Sequence, residues 1–274
     1  MENRKVLIKY GGNAMISDEL KHSIAKRIKQ LRDADIQVVL VHGGGPFINK
    51  ALEGSGIVSE FFDGHRHTSL EALTCIERTL KGEVNSSLVN LFNKQGLKAV
   101  GLSGKDGKLV TAKKRWHTQK NEQGEPIKVD LGQVGDVEKV EVSLLNILLQ
   151  GGFTPVITCI ASDEEGNDYN INGDVFAGKI ASSLGVDEYI VLTDVDGLFL
   201  DFPDPASIVK DLKLSSLKEY YGTVIQGGMI PKINSCEDAL KEGVKKAIIM
   251  NGTKPNQITD YLLHNKKTGT TLSK

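Results

Sequence analysis

Short apolar runs alternate along the chain with longer segments in which apolar residues recur every three to four positions. The short runs are nearly continuous and rich in β-branched residues, which is typical of strands covered on both faces. They predict six strands, at residues 6–10, 38–41, 98–102, 155–160, 189–193 and 246–250.

The segments between these strands show helical periodicity. Ser17 is a favoured N-cap residue, and four apolar residues recur behind it at helical spacing: Leu20, Ile24, Ile28 and Leu31. Further helices are predicted near residues 70–94, 141–150, 174–184 and 232–243. Because strands that alternate with helices indicate βαβ units, we expect an α/β protein, a three-layer α/β/α sandwich around a mainly parallel open sheet.

Residues 104–138 interrupt the alternation. The stretch is polar, is punctuated by Gly, Asn and Pro, and contains the single tryptophan, Trp116. Such a composition suits hairpins or a lid, and it suits a decorated surface loop equally well. Both alternatives stay open at this point.

Composition excludes several classes of protein. The chain has 274 residues, with 34 basic and 35 acidic side chains and a formal net charge of -1, which argues against a nucleic-acid partner. Three scattered cysteines argue against disulfides and a zinc site. Because there is neither a signal-peptide pattern nor a long apolar run, we expect a cytoplasmic protein without a membrane span.

Two glycine-rich turns follow the first two predicted strands. "KYGGN" places Lys9 and Gly12 at the first, and "HGGGP" places residues 43–45 ahead of Pro46, which suits the first turn of a helix. Exposed N–H groups at such a helix start favour an anion. In an open parallel sheet, ligands bind beyond the carboxyl ends of the strands. The turns therefore predict an anion site, although a plain strand-to-helix turn is the alternative.

Polar residues precede two later helices. "NINGD" places Asn170, Asn172 and Asp174 before one helix, and three such residues exceed what an N-cap needs. Lys232 stands at the start of another, where a cation opposes the helix dipole and so suggests a functional role.

The familiar nucleotide and hydrolase motifs do not occur. There is no G-x-x-x-x-G-K-[ST], no G-x-G-x-x-G after a strand, no H-E-x-x-H and no G-x-S-x-G. His65 and His67 flank Arg66 and are compatible with a pocket, but they define no metal site.

Seven motifs occur in an order that resembles the amino acid kinase family over nearly the whole chain: "KYGGNAM", "HGGGPFIN", "DGHRHT", "GLSGKDG", "NINGD", "LTDVDGLF" and "GGMIPKINS". The resemblance implies the amino acid kinase fold as a single domain, residues 1–274. An N-terminal lobe, 1–178, would bind the amino acid, and a C-terminal lobe, 179–274, would bind ATP. The implied reaction transfers the γ-phosphoryl group of ATP to the side-chain carboxylate of N-acetyl-L-glutamate, the second step of arginine biosynthesis.

The resemblance also implies roles for individual residues. Lys9 and Lys232 would flank the transferred phosphoryl group, and Asp174 would hold both lysines in place. The residue types suit this reaction, because a side-chain carboxylate, with a pKa of about 4.3, is already a nucleophile near neutral pH and needs no general base. Lysines and N–H donors offset the repulsion between the two anions. Mg²⁺ should accompany ATP and be held mainly by phosphate oxygens and water.

The remaining contacts are implied in the same way. The reacting carboxylate and phosphate would meet the amides of Gly12, Gly44 and Gly45, and the α-carboxylate of the amino acid would meet Arg66 and Asn170. The nucleotide would border two stretches: Asp194, Val195, Asp196, Gly197, Leu198 and Phe199, and Val224, Ile225 and Gln226.

Departures from the family pattern leave the acceptor open. His65 and His67 replace common aliphatic residues, Gly173 stands where Ala is commoner, and "MNGTKP" replaces a "DGR"-type stretch. A kinase of an aminoadipate derivative is the runner-up, since one methylene shifts affinity by only about 1–3 kcal/mol. A non-catalytic amino-acid sensor is the other alternative, but it should have lost Lys9 or Lys232.

Assembly is predicted from the start of the chain. Arginine-inhibited hexameric members of the family carry an added N-terminal helix, whereas here residues 1–5 precede the first predicted strand. We therefore expect an arginine-insensitive homodimer.

Overall fold

The computed structural model describes residues 4–62, 65–120 and 123–274. Asp63 and Gly64, which open the "DGHRHT" motif, lie outside the described residues. The strands are β1 (Lys5–Tyr10), β2 (Gln37–His42), β3 (Phe61–Phe62), β4 (His65–Arg66), β5 (Ala99–Ser103), β6 (Val110–Lys120), β7 (Pro126–Val140), β8 (Thr154–Thr158), β9 (Ile160–Ser162), β10 (Asp168–Ile171), β11 (Glu188–Thr193), β12 (Asp211–Lys213), β13 (Lys246–Asn251) and β14 (Thr270–Ser273).

The helices are α1 (Asp18–Asp33), α2 (Gly45–Gly54), α3 (Leu70–Glu77), α4 (Ser86–Lys94), α5 (Ser143–Gln150), α6 (Gly173–Leu184), α7 (Met229–Lys241) and α8 (Asn256–Leu262). A π-helical segment, Arg78–Asn85, joins α3 to α4, so the predicted helix near 70–94 is continuous but irregular. None of the helices in the described part of the chain is both long and apolar enough to cross a membrane.

The main sheet has eight strands in the order β12-β14-β13-β11-β1-β2-β8-β5. β1 pairs in parallel with β2 on one side and with β11 on the other. β14 runs antiparallel to β13 near one edge. The prediction of a mainly parallel open sheet is therefore confirmed.

Two layers of helices cover this sheet, because side chains alternate between its faces. Val6 and Ile8 of β1 pack in the core cluster that contains apolar residues of α1, α4 and α8. Leu7 packs in the cluster on the opposite face, with apolar residues of α2, α5, α6 and α7. This arrangement is the expected three-layer sandwich.

Residues 104–138 form mainly a long hairpin of β6 and β7, which answers the question that their composition left open. Together with β9 and β10 the hairpin closes a small four-stranded barrel. The predicted strand 155–160 is divided, because β8 belongs to the main sheet and β9 to the barrel. Cys159 lies at this change of sheet, and β10 leads from the barrel into α6.

Candidate active site

A cleft lies beyond the carboxyl ends of β1 and β2, between the main sheet and the small barrel. It brings together seven of the residues predicted to bind substrate or act on it, from four separate parts of the chain. The cleft is lined by Lys9, Gly12, Gly44, Gly45, Arg66, Asn170 and Asp174, among others.

An ion-pair triad stands at one end of this cleft. Asp174 forms ion pairs with two ammonium groups, with Lys9 Nζ 2.9 Å from Oδ1 and Lys232 Nζ 3.1 Å from Oδ2. Lys9 is 8% exposed and Asp174 is 4% exposed. Burial acts to raise the pKa of Asp174, but Lys9 and Lys232 outweigh it and hold that pKa below its ordinary value. Asp174 is therefore a charged anchor rather than a proton acceptor.

Asp174 is positioned by the start of α6. The side chain of Asn172 caps this helix by accepting from the amides of Asp174 (2.9 Å) and Val175 (3.3 Å). A carboxylate in the first turn of a helix also interacts favourably with the helix dipole. The hydroxyl of Tyr189 donates to the carbonyl of Asp174 at 3.1 Å. Asn172 is thus the N-cap, and the carboxylate of Asp174 is left to pair with Lys9 and Lys232.

Lys232 reaches Asp174 because α6 and α7 pack closely. A Cβ atom at Gly178 of α6 would lie 2.9 Å from the backbone oxygen of Ser235 in α7. Glycine at this position therefore allows a helix separation that a larger residue would prevent. The close contact lets Lys232 of α7 reach the carboxylate of Asp174 in α6.

The first glycine turn is held by a residue far along the chain. Gly12 has a φ of +72°, and a Cβ there would lie 2.8 Å from Asp194 Oδ1. The same carboxylate accepts from the backbone N–H of Asn13 at 2.9 Å and from its side-chain amide at 3.2 Å. Asp194 follows β11, so this bond ties the ends of two neighbouring strands together. Asn13 had no role in the sequence prediction.

The second glycine turn leads from β2 into α2, with Pro46 in the first helical turn. The first amides of a helix have no acceptor within it, so the amides of Gly44 and Gly45 are available beside the cleft that these residues line. A Cβ at Gly44 would lie 2.6 Å from Cδ2 of Leu80, which belongs to the π-helical segment. The predicted anion-binding turn is present as a helix N-terminus that lines the cleft.

Arg66 and Asn170 lie in the same cleft as the triad. The guanidinium of Arg66 donates to the side chains of Ser59 and Asn49, and its Cζ is 4.5 Å from the ring centre of Phe61. Burial lowers the pKa of Arg66 from its ordinary value. A buried guanidinium beside a cleft is suited to bind a carboxylate.

The two histidines beside Arg66 differ in position. His65 lines the cleft. His67 donates its backbone N–H to the carbonyl of Glu60 at 2.9 Å, which extends the short β3–β4 hairpin.

The residues predicted to border a nucleotide lie beyond β11 and before α7. Asp196 accepts from Lys254 Nζ at 2.7 Å and from the amide of Asn251 at 3.0 Å. Leu198 and Ile225 are buried, whereas Gln226 is exposed. The cleft described above is not lined by either stretch, so their contact with a nucleotide stays a prediction.

The donor set near the triad does not form a metal cage. Among residues 4–62, 65–120 and 123–274, no three His, Cys, Asp or Glu side chains are grouped so that they could hold a metal ion. Asp174 is engaged by two lysines and Asp194 by Asn13.

The cleft, the triad and the two glycine turns agree with the family that the sequence resembles. A sequence profile of the amino acid kinase family matches residues 4–251. The chain belongs to the amino acid kinase family. It is similar to acetylglutamate kinase of Methanococcus aeolicus, with 41% identity over 274 residues, covering 100% of this chain and 93% of the relative. Acetylglutamate kinase of Methanocaldococcus jannaschii is 43% identical over 269 residues, covering 98% and 90%.

Solved structures share the fold of this amino acid kinase family member. A Streptococcus mutans UA159 protein, smu.665, superposes with a TM-score of 0.77 at 27% identity and covers 98% of both chains. N-acetylglutamate synthase of Neisseria gonorrhoeae, in complex with coenzyme A and N-acetyl-glutamate, superposes with a TM-score of 0.84 at 20% identity. The chain spans 59% of that synthase, so this likeness concerns the fold alone.

Proposed function

We propose that this protein is an acetylglutamate kinase, which transfers the γ-phosphoryl group of ATP to the side-chain carboxylate of N-acetyl-L-glutamate in arginine biosynthesis. The observation that carries the proposal is the Lys9–Asp174–Lys232 triad beside two glycine turns, with Lys9 and Asp174 buried. Its support from outside the structure is the 41% to 43% identity to acetylglutamate kinases over nearly the full chain.

The chemistry follows from charge. One oxygen of the acceptor carboxylate attacks the γ-phosphorus, the bond from phosphorus to the β–γ bridging oxygen breaks, and ADP leaves. No proton has to move, because the acceptor is already ionised near neutral pH. Lys9 and Lys232 stabilise negative charge as it moves from donor to acceptor, and Asp174 keeps both ammonium groups in place.

The amides of Gly12, Gly44 and Gly45 would supply N–H donors to the reacting oxygens, and Arg66 with Asn170 would hold the α-carboxylate. This division places the fixed charge of the amino acid at one end of the cleft and the reacting carboxylate at the other. The distance between them would set the length of substrate accepted. An aminoadipate derivative, one methylene longer, is the alternative acceptor.

Mg²⁺ is proposed to enter with ATP. Because the carboxylates near the triad already have partners, phosphate oxygens and water would hold the ion, and it would neutralise charge on the phosphates. The nucleotide contacts at residues 194–199 and 224–226, the two lobes, a homodimer and a cytoplasmic location stay predictions. Nucleotide soaks, light scattering and cell fractionation test them.

Trapping the product with hydroxylamine tests the proposal, because an acyl phosphate forms a hydroxamate whereas other phosphorylated products do not. The purified protein, ATP and Mg²⁺ should give hydroxamate with N-acetyl-L-glutamate, and more than with the N-acetyl derivative of L-2-aminoadipate. A reversed preference would assign the aminoadipate alternative.

Matched lysine variants identify the groups responsible. Lys9→Met and Lys232→Met should each lower hydroxamate formation at least 100-fold, as loss of a preorganised charge donor typically does. Lys241→Met on α7 is the control, since Lys241 is exposed and pairs with Glu237 one helical turn away. Equal activity in all three variants would contradict the proposed mechanism. No ATP turnover with any acidic amino acid would favour a sensor.

A further inference from the structure

We infer that His42 is a positioning residue for phosphoryl transfer, because its imidazole sets the direction of a backbone N–H group in the second glycine turn. The inference rests on the proposed function for its consequence in catalysis. Its structural part concerns the orientation of one peptide unit and stands by itself.

His42 ends β2 and is 0% exposed. Both ring nitrogens have partners: Nδ1 lies 2.8 Å from the carbonyl oxygen of Gly43, and Nε2 lies 2.9 Å from Nδ2 of Asn85. A buried imidazole with two specific partners is a constrained group, since an apolar residue could fill the same space at the end of a strand.

The bonds of Asn85 define which nitrogen carries the proton. Nδ2 of Asn85 also donates to the carbonyl of Val156 at 2.9 Å, which fixes the orientation of the amide. Because an amide nitrogen can only donate, Nε2 of His42 must accept. The proton is then on Nδ1, which donates to the carbonyl of Gly43. Burial lowers the pKa of His42 to about 4, so this neutral form persists at neutral pH.

The bond between His42 and the Gly43 carbonyl also sets the direction of the Gly44 N–H group beside the cleft. The carbonyl of Gly43 and the N–H of Gly44 belong to one planar trans peptide, so they point in opposite directions. A carbonyl held toward His42 therefore turns the Gly44 N–H to the other side. The amide of Gly43 donates to the carbonyl of Tyr10 at 3.1 Å, which continues the pairing of β2 with β1.

Space is open beside the glycines on either side of Gly44. A Cβ added at Gly43 or Gly45 would meet no atom within 4 Å. Glycine peptides can rotate at low cost, so an unrestrained turn would sample orientations in which the N–H is misdirected. The π-helical segment borders the turn at two points, since Asn85 binds the imidazole and a Cβ added at Gly44 would lie 2.6 Å from Cδ2 of Leu80. Such segments are often found at functional sites.

Two substitutions separate the two bonds of His42. Asparagine places an amide nitrogen near the position of Nδ1, so His42→Asn keeps the bond to Gly43 and loses the one to Asn85. Glutamine places an amide oxygen near the position of Nε2, so His42→Gln keeps the bond to Asn85 and loses the one to Gly43. Each variant loses one buried hydrogen bond, and we expect similar losses of thermal stability.

Turnover should distinguish the variants. We expect His42→Gln to lower kcat about tenfold or more with KM for N-acetyl-L-glutamate changed less than about twofold, because only the charge-stabilising donor is misdirected. His42→Asn should keep kcat within about threefold of the parent. Asn93→Ala, which removes a side-chain acceptor 2.7 Å from the Ala99 amide, is a stability control that should leave kcat unchanged.

The peptide orientation can also be measured without turnover. In ¹⁵N-labelled protein, both variants lose the ring current of the imidazole, so the amide resonance of Gly44 should move in both, but further in His42→Gln than in His42→Asn. If either variant fails to fold, Asn85→Ser removes the bond that keeps the proton of His42 on Nδ1. The imidazole can then no longer hold the Gly43 carbonyl consistently, and kcat should fall about threefold or more without a rise in KM.

The outcomes separate the two proposals. An active parent with equal kcat losses in His42→Asn and His42→Gln, or a Gly44 shift in His42→Gln no larger than in His42→Asn, would overturn the positioning role. An inactive parent whose Gly44 resonance responds as expected would overturn the proposed function and leave the orientation by His42 supported.

Discussion

Replacing Asp174 with asparagine should destabilise the protein and abolish most of its activity. The substitution keeps the volume but removes the charge shared by Lys9 and Lys232, whose Nζ atoms lie 2.9 and 3.1 Å from the carboxylate. At an effective dielectric of about 20, each pair attracts by about 5 kcal/mol before desolvation is counted. Removing one partner of a buried ion pair costs about 3–5 kcal/mol net. We expect that loss in the free energy of unfolding, and a fall in kcat of at least about 100-fold.

Urea unfolding followed by circular dichroism measures the first effect, and hydroxamate formation measures the second. Glu242→Gln is the matched control, because it makes the same chemical change at an exposed carboxylate that accepts from Lys179 and Ser182. Surface pairs contribute about 0–1 kcal/mol, so this control should unfold close to the parent.

The pH dependence gives a second test of the same charge. The folded pKa of Asp174 is lowered, so its contribution is present above the ordinary carboxyl pKa of about 4 and is lost as the pH falls further. The stability difference between the parent and Asp174→Asn should therefore be full at pH 7 and shrink below about pH 4. If Asp174→Asn were as stable as Glu242→Gln at pH 7, the proposed contribution of the Asp174 charge to stability would be refuted.

Three further predictions follow from glycine contacts and from His42. The folded pKa of His42 is about 4, against about 6.5 in an unfolded chain, so between these pH values the unfolded state binds a proton that the folded state does not. His42 should therefore lower the free energy of unfolding of the parent by about 3 kcal/mol from pH 6.5 to 4. Urea unfolding of His42→Asn should lack this slope, and an equal slope would contradict the assignment. Gly178→Ala places a Cβ 2.9 Å from a backbone oxygen of α7 and should cost about 1–3 kcal/mol by calorimetry while lowering kcat; no change in either would exclude the tight helix contact. Gly44→Ala places a Cβ 2.6 Å from Cδ2 of Leu80 and should lower kcat, with partial recovery in the double variant with Leu80→Ala; absence of recovery would show that this contact is not the cause.

The central strands could be predicted because a parallel strand covered on both faces reads as a continuous apolar run. β12, β14 and α8 were missed, since β12 and β14 have three and four residues and α8 has seven. Such short elements depend on the neighbours they pair with rather than on their own pattern. Ser17 was predicted correctly as a cap because capping is local: its hydroxyl accepts from the amide of Leu20 at 3.2 Å.

The residues of the site likewise fall into those that the sequence revealed and those that it did not. The glycine turns and the lysine at the end of β1 were visible because each stands next to a strong local pattern. Asn13 and Asn85 were not visible, because their partners Asp194 and His42 lie 181 and 43 residues away and no spacing along the chain records the contact. His42 stood directly before the glycines, and a histidine at the end of an apolar strand pattern is the signal that could have drawn attention to it.

The pairing of β1 on both sides limits how the protein can move during a reaction cycle. Separation of the two halves of the main sheet would break the hydrogen bonds of β1 with β2 or with β11 along the whole strand. Movement during a reaction cycle is therefore expected in segments outside the main sheet rather than within it. Because Lys9 lies on β1 between two paired strands, its backbone is held on both sides.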